Sequence, residues 1–347
     1  AGRLDVDAQT LHMETLTLDR GSHKWIASVF LDRDEQGQFE AIKAEGAVQG
    51  PLTGPELLEV WPVKFADGAR RWLVRSVEAG VIDSLSFEAD LERTNDGELI
   101  EKVMDMDFTV QDGTIKYIST MTPLTNASGF AKISDNRLEF TLEEGEIGNL
   151  SILPSQVQIP RLKPKGGDMV VTINAVGGAS EMLGLLNQHP FQLADRYDTN
   201  PKEVSGQGSV NVKITRPLLE YFDQNRILYE INGDFTDVAA PFKVGNYQLT
   251  NGDVSLNVDQ AGLQVKGPVN IGPWQTNMEW SETFDEGLTP SQYHLSGQMT
   301  PDVLDKMGVG FREYVDGTAQ VDIRATGTGA DIKSAIILAD LEETEIS

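Results

Sequence analysis

Cysteine is absent from this sequence of 347 residues, cations are scarce and no long apolar run occurs. Without cysteine the chain has no disulfides, thiolate nucleophiles, zinc–thiolate sites or iron–sulfur clusters. Lys and Arg number 28 against 54 Asp and Glu, which gives a formal net charge of -26. Such a surface repels phosphate backbones, so we expect no nucleic-acid partner. The most apolar stretch, residues 335–339, is far shorter than the ~20 residues that a membrane-spanning helix needs.

The first residues also lack a pattern. They do not show the basic-then-apolar layout of a signal peptide, and they enter alternating sequence almost at once. We therefore expect the chain to be a fragment of a longer protein whose targeting segment lies outside it.

Motifs that carry chemistry are missing as well. The histidines His12, His23, His189 and His294 have neither i, i+4 spacing nor a His-Glu-x-x-His pattern, so polar surface positions explain them better than a metal site. The sequence contains no Gly-Lys-Ser/Thr phosphate loop, no dinucleotide fingerprint and no Gly-x-Ser-x-Gly motif. No pair of carboxylates stands out among the 54 acidic residues. We expect no catalytic residues, no metal, no cofactor and no enzymatic activity.

What the sequence does have is alternation of apolar and polar residues, the period of a strand with one buried face. Leu85, Phe87, Ala89 and Leu91, for example, alternate with serines and acidic residues. Strands covered on both sides would show continuous apolar runs, so a doubly wound nucleotide-binding fold is disfavoured. The pattern predicts a mainly β protein: an elongated, curved antiparallel sheet that forms a groove or taco-like repeat, with a few short helices.

Turns and helices are predicted from local signals. Five residue pairs that tolerate positive φ predict tight hairpin turns. They are Asp96-Gly97, Asp112-Gly113, Asn232-Gly233, Asn251-Gly252 and Asp316-Gly317. Helical spacing of apolar residues is rare, and it predicts short helices at 54–60, 69–77, 179–187 and 300–307.

A repeat is visible in the order of these elements. Gly80, Gly206 and Gly317 begin three similar segments that each follow a helical stretch. A unit of one short helix and several meandering strands cannot cover its own apolar face, so neighbouring units must stack. The predicted division is an N-terminal β segment at 1–50, a first helix-plus-meander repeat at 51–178, a second repeat at 179–299 and the start of a third, truncated repeat at 300–347.

A sheet of stacked repeats elongates, so its apolar face would form one continuous inner surface. An apolar trough suits acyl chains, whose transfer from water is worth roughly 0.8 kcal/mol per buried methylene. We predict that the inward alternating residues line this trough and offer apolar surface without headgroup chemistry. They are Leu85, Phe87, Met106, Phe108, Phe140, Val212, Ile214, Ile231, Leu256, Val265 and Ile323. The alternative is an ordinary sandwich in which two sheets seal one another.

One region resembles a known family. It begins with Leu57-Leu58 and Trp61-Pro62, continues through Arg70-Arg71-Trp72-Leu73 and ends in Gly80-Val81 before an alternating strand. This order resembles the signature region of the YhdP branch of the AsmA-like envelope proteins. Later glycine-punctuated strands, such as residues 262–267, resemble the repetitive β region of that family.

The resemblance implies a Gram-negative protein that is anchored to the inner membrane by one N-terminal helix and extends a β-groove through the periplasm. Its partner would be phospholipid, or another lipid with acyl chains, carried between the inner and outer membranes. Other envelope proteins could also bind, and membrane contact would come from an anchor absent from this chain. Two alternatives stay open from the residues themselves: a sealed β-sandwich or β-solenoid scaffold or adhesion module, and a carbohydrate-active enzyme on a β-helix.

Overall fold

The computed structural model of the chain is built mainly from antiparallel strands, which account for 67% of it, and its few helices are short. The predicted mainly β class is therefore confirmed. The structure describes residues 4–6, 10–61, 67–189, 191–196, 199–219, 221, 223, 226–244, 247–284, 291–308, 310, 315–328, 331–342 and 344–346. It divides into two compact units, unit 1 (Ala1–Thr172 and Thr215–Ile227) and unit 2 (Ile173–Ile214 and Leu228–Ser347).

Unit 1 is a meander in which consecutive strands pair antiparallel in chain order. Its strands are β1 (Leu4–Val6), β2 (Thr10–Asp19), β3 (Lys24–Arg33), β4 (Phe39–Thr53), β5 (Val77–Arg93), β6 (Leu99–Ile115), β7 (Leu124–Ser134), β8 (Arg137–Ile147) and β9 (Leu150–Ile159). Two helices, α1 (Gly54–Val60) and α2 (Asp67–Ser76), lie between β4 and β5.

The start of α1 is fixed by its sequence. The backbone N–H and the hydroxyl of Thr53 donate to Glu56 Oε2 at 2.8 and 2.6 Å. Pro55 occupies the first turn, where its missing N–H would have no helical partner anyway. Both helices confirm the predicted ones, with one difference: α2 ends at Ser76, and Val77 is already the first residue of β5.

Unit 2 contains a second antiparallel meander. The strands that follow β9 are β10 (Asp168–Gly178), β11 (Ser205–Pro217), β12 (Leu228–Val244), β13 (Tyr247–Val258), β14 (Gly262–Ile271), β15 (Trp274–Thr283), β16 (Ser291–Met299), β17 (Val315–Gly317), β18 (Ala319–Thr328), β19 (Asp331–Asp340) and β20 (Thr344–Ile346). Strands β17 and β20 form a separate pair. Helices α3 (Ala179–Leu186) and α5 (Pro301–Lys306) confirm predicted helices, whereas α4 (Leu193–Arg196) and a 3-10 turn at Pro201–Glu203 were not predicted.

Four of the five predicted hairpin turns are wrong. Only Asp96-Gly97 lies in a turn, where the Gly97 N–H donates to the Thr94 carbonyl at 2.9 Å. The other four pairs lie inside β6, β12, β13 and β17. Asp112 and Asn251 do have positive φ, 52° and 49°. They stand where the strand register shifts, so the left-handed residue serves a β-bulge within a long strand instead of a turn between strands.

The three glycines of the proposed repeat share a backbone conformation. Gly80, Gly206 and Gly317 have φ of 136°, 122° and 101°, the left-handed region that favours glycine. At Gly80 a Cβ atom would lie only 3.1 Å from the Cα of Gly113 on the neighbouring strand. This likeness is consistent with a repeat, while the boundaries at 51–178, 179–299 and 300–347 stay a prediction.

Candidate functional site

Face 1 is the apolar face of strands β2 to β9 in unit 1. Cross-strand pairing places one residue from each of these eight strands in a single row. The row consists of Leu18, Trp25, Val48, Leu85, Phe108, Ala131, Phe140 and Val157. Directly opposite side chains in a sheet lie about 4.5–5.5 Å apart. The row is therefore a continuous apolar line across the meander.

A second apolar row runs beside the first, two residues along each strand. It consists of Leu16, Ala27, Gly46, Phe87, Met106, Ile133, Leu138 and Ile159. Phe87 and Met106 in this row, like Phe108 and Phe140 in the first, are only partly buried. At β2, Leu16 is 47% exposed. Face 1 thus keeps apolar surface within reach of solvent.

Helices α1 and α2 cover one end of face 1. Leu57 of α1 is buried in a cluster with Val48, Leu52 and Leu85, and Leu73 of α2 packs against that cluster. From the row of Phe87 and Met106 outward, away from the helices, none of the paired residues on β3 to β6 is buried. The cover is therefore local.

The opposite face of the same strands is polar. Glu45, Glu88 and Asp105 stand side by side on β4, β5 and β6. Ion pairs are also found on this side, such as Lys43 Nζ at 3.0 Å from an Asp90 carboxylate oxygen. Unit 1 therefore has one wet face and one apolar face, as the alternation predicts.

Face 2 is the apolar face of β12 to β16 and β18 in unit 2. One of its rows consists of Gly233, Leu256, Val265, Trp280, Tyr293 and Ala325. Towards α5 it becomes a closed core of buried residues: Leu249, Val254, Val269, Ile271, Trp274, Met278, Leu295, Met299 and Val321. Val303 and Leu304 of α5 and the following Met307 pack against this core. The hydroxyl of Tyr247 ties the helix down by donating to the Lys306 carbonyl at 2.9 Å.

One row of face 2 changes from apolar to polar. It runs from Leu263 on β14 to Glu282 on β15 and Ser291 on β16. Glu282 is 7% exposed and Ser291 is fully buried. The Ser291 hydroxyl donates to Glu282 Oε2 at 2.5 Å, and Trp280 Nε1 is 3.4 Å from the same oxygen. Burial and the negative charge of Glu282 raise the pKa of Tyr293, against a hydrogen bond with Ser291 that lowers it.

Five of the eleven predicted lining residues lie on face 1, and four lie on face 2. The first group is Leu85, Phe87, Met106, Phe108 and Phe140, and the second is Ile231, Leu256, Val265 and Ile323. Leu85 is buried, and the other residues in both groups are partly exposed. Their role as a lining stays a prediction.

The remaining two predicted residues, Val212 and Ile214, lie on β11 and are also partly exposed. Val210, two residues earlier, has its Cγ1 atom 3.0 Å from the place of a Cβ atom on Gly233. Alternation puts Val212 and Ile214 on the same side of the strand as Val210.

Two kinds of functional candidate are absent from the predicted set. Trp25 on β3 and Val48 on β4 belong to the first row of face 1. β3 has apolar residues on both faces, which hides the alternation around Trp25. Glu282 sits two residues after Trp280, where the alternation calls for an apolar side chain. A carboxylate at that place in the pattern was the signal available in the sequence.

The described part of the chain contains no helix that is long and apolar enough to cross a membrane. Within it, no three His, Asp or Glu side chains gather as ligands of a metal ion would. A comparison with protein families gives a match to the model described as "YhdP protein" over residues 58–346. The chain belongs to the YhdP family. The resemblance of the Trp61 to Gly80 region is thereby confirmed.

The YhdP match begins inside α1 and includes all of α2 and all strands of face 2. Other similarities are much shorter. Adenylate kinases of Staphylococcus aureus strains Mu50 / ATCC 700699, MW2 and N315 are 33% identical to the chain over 69 residues. This match covers 19% of the chain, which spans about a third (32%) of the length of each kinase. No solved structure matches the chain.

Proposed function

We propose that this chain is the periplasmic segment of an inner-membrane-anchored YhdP protein and binds phospholipid acyl chains on its apolar faces. It helps to carry lipid between the inner and outer membranes, without enzymatic activity and without a cofactor. The observation that supports this proposal is face 1. Two adjacent apolar rows cross eight strands there, and their central aromatic side chains remain partly exposed.

The physical chemistry of face 1 suits an acyl chain. The two rows are roughly 7 Å apart along the strands, at ~3.3–3.4 Å per residue. A chain that lies on Phe87 and Phe108 removes its own methylenes and the ring surfaces from water, at roughly 0.8 kcal/mol per buried methylene. Nothing in this contact depends on the position of a particular methylene, so a chain can slide along the rows.

A second candidate, a sealed scaffold that binds other envelope proteins, is supported by the α5 end of face 2. Trp274 and Ile271 there are 2% and 0% exposed. An apolar face that is closed in this way is an ordinary core and offers nothing to a lipid. The two candidate functions therefore predict different states of face 1: a surface that binds lipid, or a sealed core.

The test replaces Phe87 by Asp and compares Ser86→Asp, an exposed position next to it on the wet face. Phospholipid that copurifies is counted by native mass spectrometry, and acyl contact is measured by crosslinking to a phospholipid with a photoreactive chain. We expect the parent protein to carry lipid and Phe87→Asp to lose it about tenfold, equivalent to ~1.4 kcal/mol. Its melting temperature should fall little, because water reaches a partly exposed carboxylate.

Ser86→Asp should keep both lipid binding and stability, since surface substitutions usually change stability by less than ~0.5 kcal/mol. A different outcome would favour the scaffold. If the parent never carries lipid and Phe87→Asp unfolds the protein, face 1 is a sealed core in solution and the lipid proposal is wrong.

A further inference from the structure

Glu282 is a carboxylate on a largely apolar face, and no ion pair links it to a cation among the residues that the structure describes. The sequence has 28 Lys and Arg residues, and those that form ion pairs such as Lys43–Asp90 and Arg324–Asp322 use other carboxylates. A buried charge is costly unless it is hydrogen-bonded and paired. Ser291 and Trp280 supply hydrogen bonds to Glu282. Within the described residues, the site has hydrogen bonds for this carboxylate and no opposite charge.

The neighbours of Glu282 are aromatic. Trp280 and Tyr293 face each other across β15 and β16, with ring centroids 6.1 Å apart and planes at 13°. The faces of aromatic rings attract cations, and a tryptophan face attracts them best. Trp280 is partly exposed, so its ring is within reach of a ligand. A carboxylate beside an accessible indole is a combination that attracts an ammonium group.

We propose that Glu282 and Trp280 bind the primary ammonium group of a lipid whose acyl chains lie on face 2. The inference rests on the proposed function and adds the headgroup that this part of the protein prefers. The hydrogen bonds from Ser291 and Trp280 both end on Oε2, so among the described residues none occupies Oε1, which can accept from a ligand. A primary ammonium has three N–H donors for this purpose, whereas a trimethylammonium has none.

The position of Glu282 fits a lipid that is bound by its headgroup at one end of the face. Trp274, in the closed core near α5, and Glu282 are eight residues apart on β15, roughly 27 Å at ~3.3–3.4 Å per residue. Leu256, Val265 and Ile323, which lie between these two levels of the sheet, are partly exposed. Tyr293 and Met278, at the same levels, are buried. An ammonium at Glu282 therefore places the acyl chains against the partly exposed Leu256, Val265 and Ile323.

The test offers the full chain three kinds of vesicle with identical acyl chains, made of phosphatidylethanolamine, phosphatidylglycerol or phosphatidylcholine. Bound lipid is counted by native mass spectrometry. We expect the parent to take up about tenfold more phosphatidylethanolamine than phosphatidylglycerol, equivalent to ~1.4 kcal/mol. Phosphatidylcholine should bind less than phosphatidylethanolamine, because it cannot donate to Oε1. Glu282→Gln should bring the ratio near one while phosphatidylglycerol uptake stays the same.

The matched control is Glu279→Gln, a 58% exposed carboxylate on the wet face of the same strand, which should keep the parent's ratio. Ser291→Ala leaves the carboxylate in place, and it should keep the preference too. If Glu282→Gln does not fold, the parent's preference for phosphatidylethanolamine over phosphatidylcholine still tests the site, because both lipids are zwitterionic and only the former has N–H donors.

The failures of the two proposals are distinguishable. Equal uptake of the three lipids by the parent overturns the ammonium site and leaves lipid binding intact. A parent that takes up no lipid overturns the proposed function, and with it this inference. If free ethanolamine displaces phosphatidylethanolamine as well as a short-chain phosphatidylethanolamine does, the ligand is a free amine and the assignment to a lipid headgroup is wrong.

Discussion

Face 1 and face 2 are made by the same kind of antiparallel meander, but they differ in how much of their apolar surface is covered. On face 1, Val48 and Leu85 are buried beneath α1, whereas Phe87 and Met106 one row away are partly exposed. On face 2, nine buried residues form a closed core beneath α5. Alternation thus determines which residues share a face, and the covering segments determine whether that face is a core or a surface.

The difference has an energetic consequence. A fully buried Leu, Ile, Val, Phe or Met side chain contributes ~1.5–3 kcal/mol relative to an exposed one. Residues of the closed part of face 2, such as Met278, therefore carry more stability than residues of the same type on face 1, such as Met106. Apolar side chains that are not buried in the core are the ones that a ligand can contact.

The largest effect that tests the difference in burial between the two faces comes from the same substitution on each of them. Met278 is 5% exposed in the closed core of face 2, and Met106 is partly exposed on face 1. We expect Met278→Asp to lower the free energy of unfolding by about 4 kcal/mol or more, because it buries an unpaired charge. Met106→Asp should lower it by about 1–2 kcal/mol, because water solvates the carboxylate there. Denaturant unfolding followed by circular dichroism measures both.

The control for this pair is a neutral change of similar size, Met278→Leu and Met106→Leu, each expected to change stability by less than ~1.5 kcal/mol. Similar losses for the two Asp variants would mean that both faces are equally dry. That result would remove the distinction on which the assignment of face 1 to lipid depends.

A smaller effect is expected from loosening the helix that covers face 1. Thr53→Ala removes a hydroxyl that donates to Glu56 and that, in the parent, holds the pKa of Glu56 below its ordinary value. Loss of a helix cap typically lowers the free energy of unfolding by ~1 kcal/mol. Leu57 should then leave Leu85 more often, so acyl crosslinking on face 1 should rise. Hydrogen exchange in α1 and photocrosslinking measure the two changes.

The matched variant in unit 2 is Thr300→Ala, since the Thr300 hydroxyl accepts from the Val303 N–H at the start of α5. It should cost a similar amount of stability. We expect no rise in crosslinking at the closed core, because Tyr247 still holds α5 by its bond to Lys306. An equal rise in acyl crosslinking in both variants would mean that α1 and α5 cover their faces equally loosely.

Much of the fold was predictable because it depends on local pattern. Leu85, Phe87 and Phe108 repeat with period two, and register with neighbouring strands follows from keeping them on one side. Thr53, Pro55 and Glu56 mark the start of α1 within a few residues. Such signals lie close together in the chain, so the sequence displays them directly.

The degree of burial was not predictable, because it depends on contacts between distant residues. Met106 and Met278 have the same place in an alternating pattern, yet only Met278 belongs to a buried cluster, the one against which α5 packs. Asn232-Gly233 and Asn251-Gly252 are favourable turn pairs, yet both lie within strands whose neighbours continue past them. The cluster at Glu282 needs the pairing of β15 with β16, which brings Ser291 to it.

The smallest expected effect concerns the ion pairs of the wet faces, where Asp322 in unit 2 pairs with a histidine as well as with Arg324. Unit 1 pairs Arg93 with Asp34 at 2.9 Å, and unit 2 pairs His294 with Asp322 at 2.6 Å. The hydrogen bond from His294, and then the charges of His294 and Arg324, hold the pKa of Asp322 below its ordinary 3.8 against the opposing effect of burial. A carboxyl group whose pKa is lower in the folded state stabilises the protein above its unfolded pKa, and this contribution disappears as the pH falls through the folded pKa.

We therefore expect the parent to melt at a slightly higher temperature than His294→Gln at about pH 5, and the difference to close as the pH falls below the ordinary Asp322 pKa of 3.8. Melting curves at a series of pH values measure it. His12→Gln is the control, because His12 is exposed on β2 and bonds no carboxylate among the described residues; its offset from the parent should not change over this range. If the His294→Gln difference is equally constant with pH, the pair with Asp322 makes no pH-dependent contribution to folding.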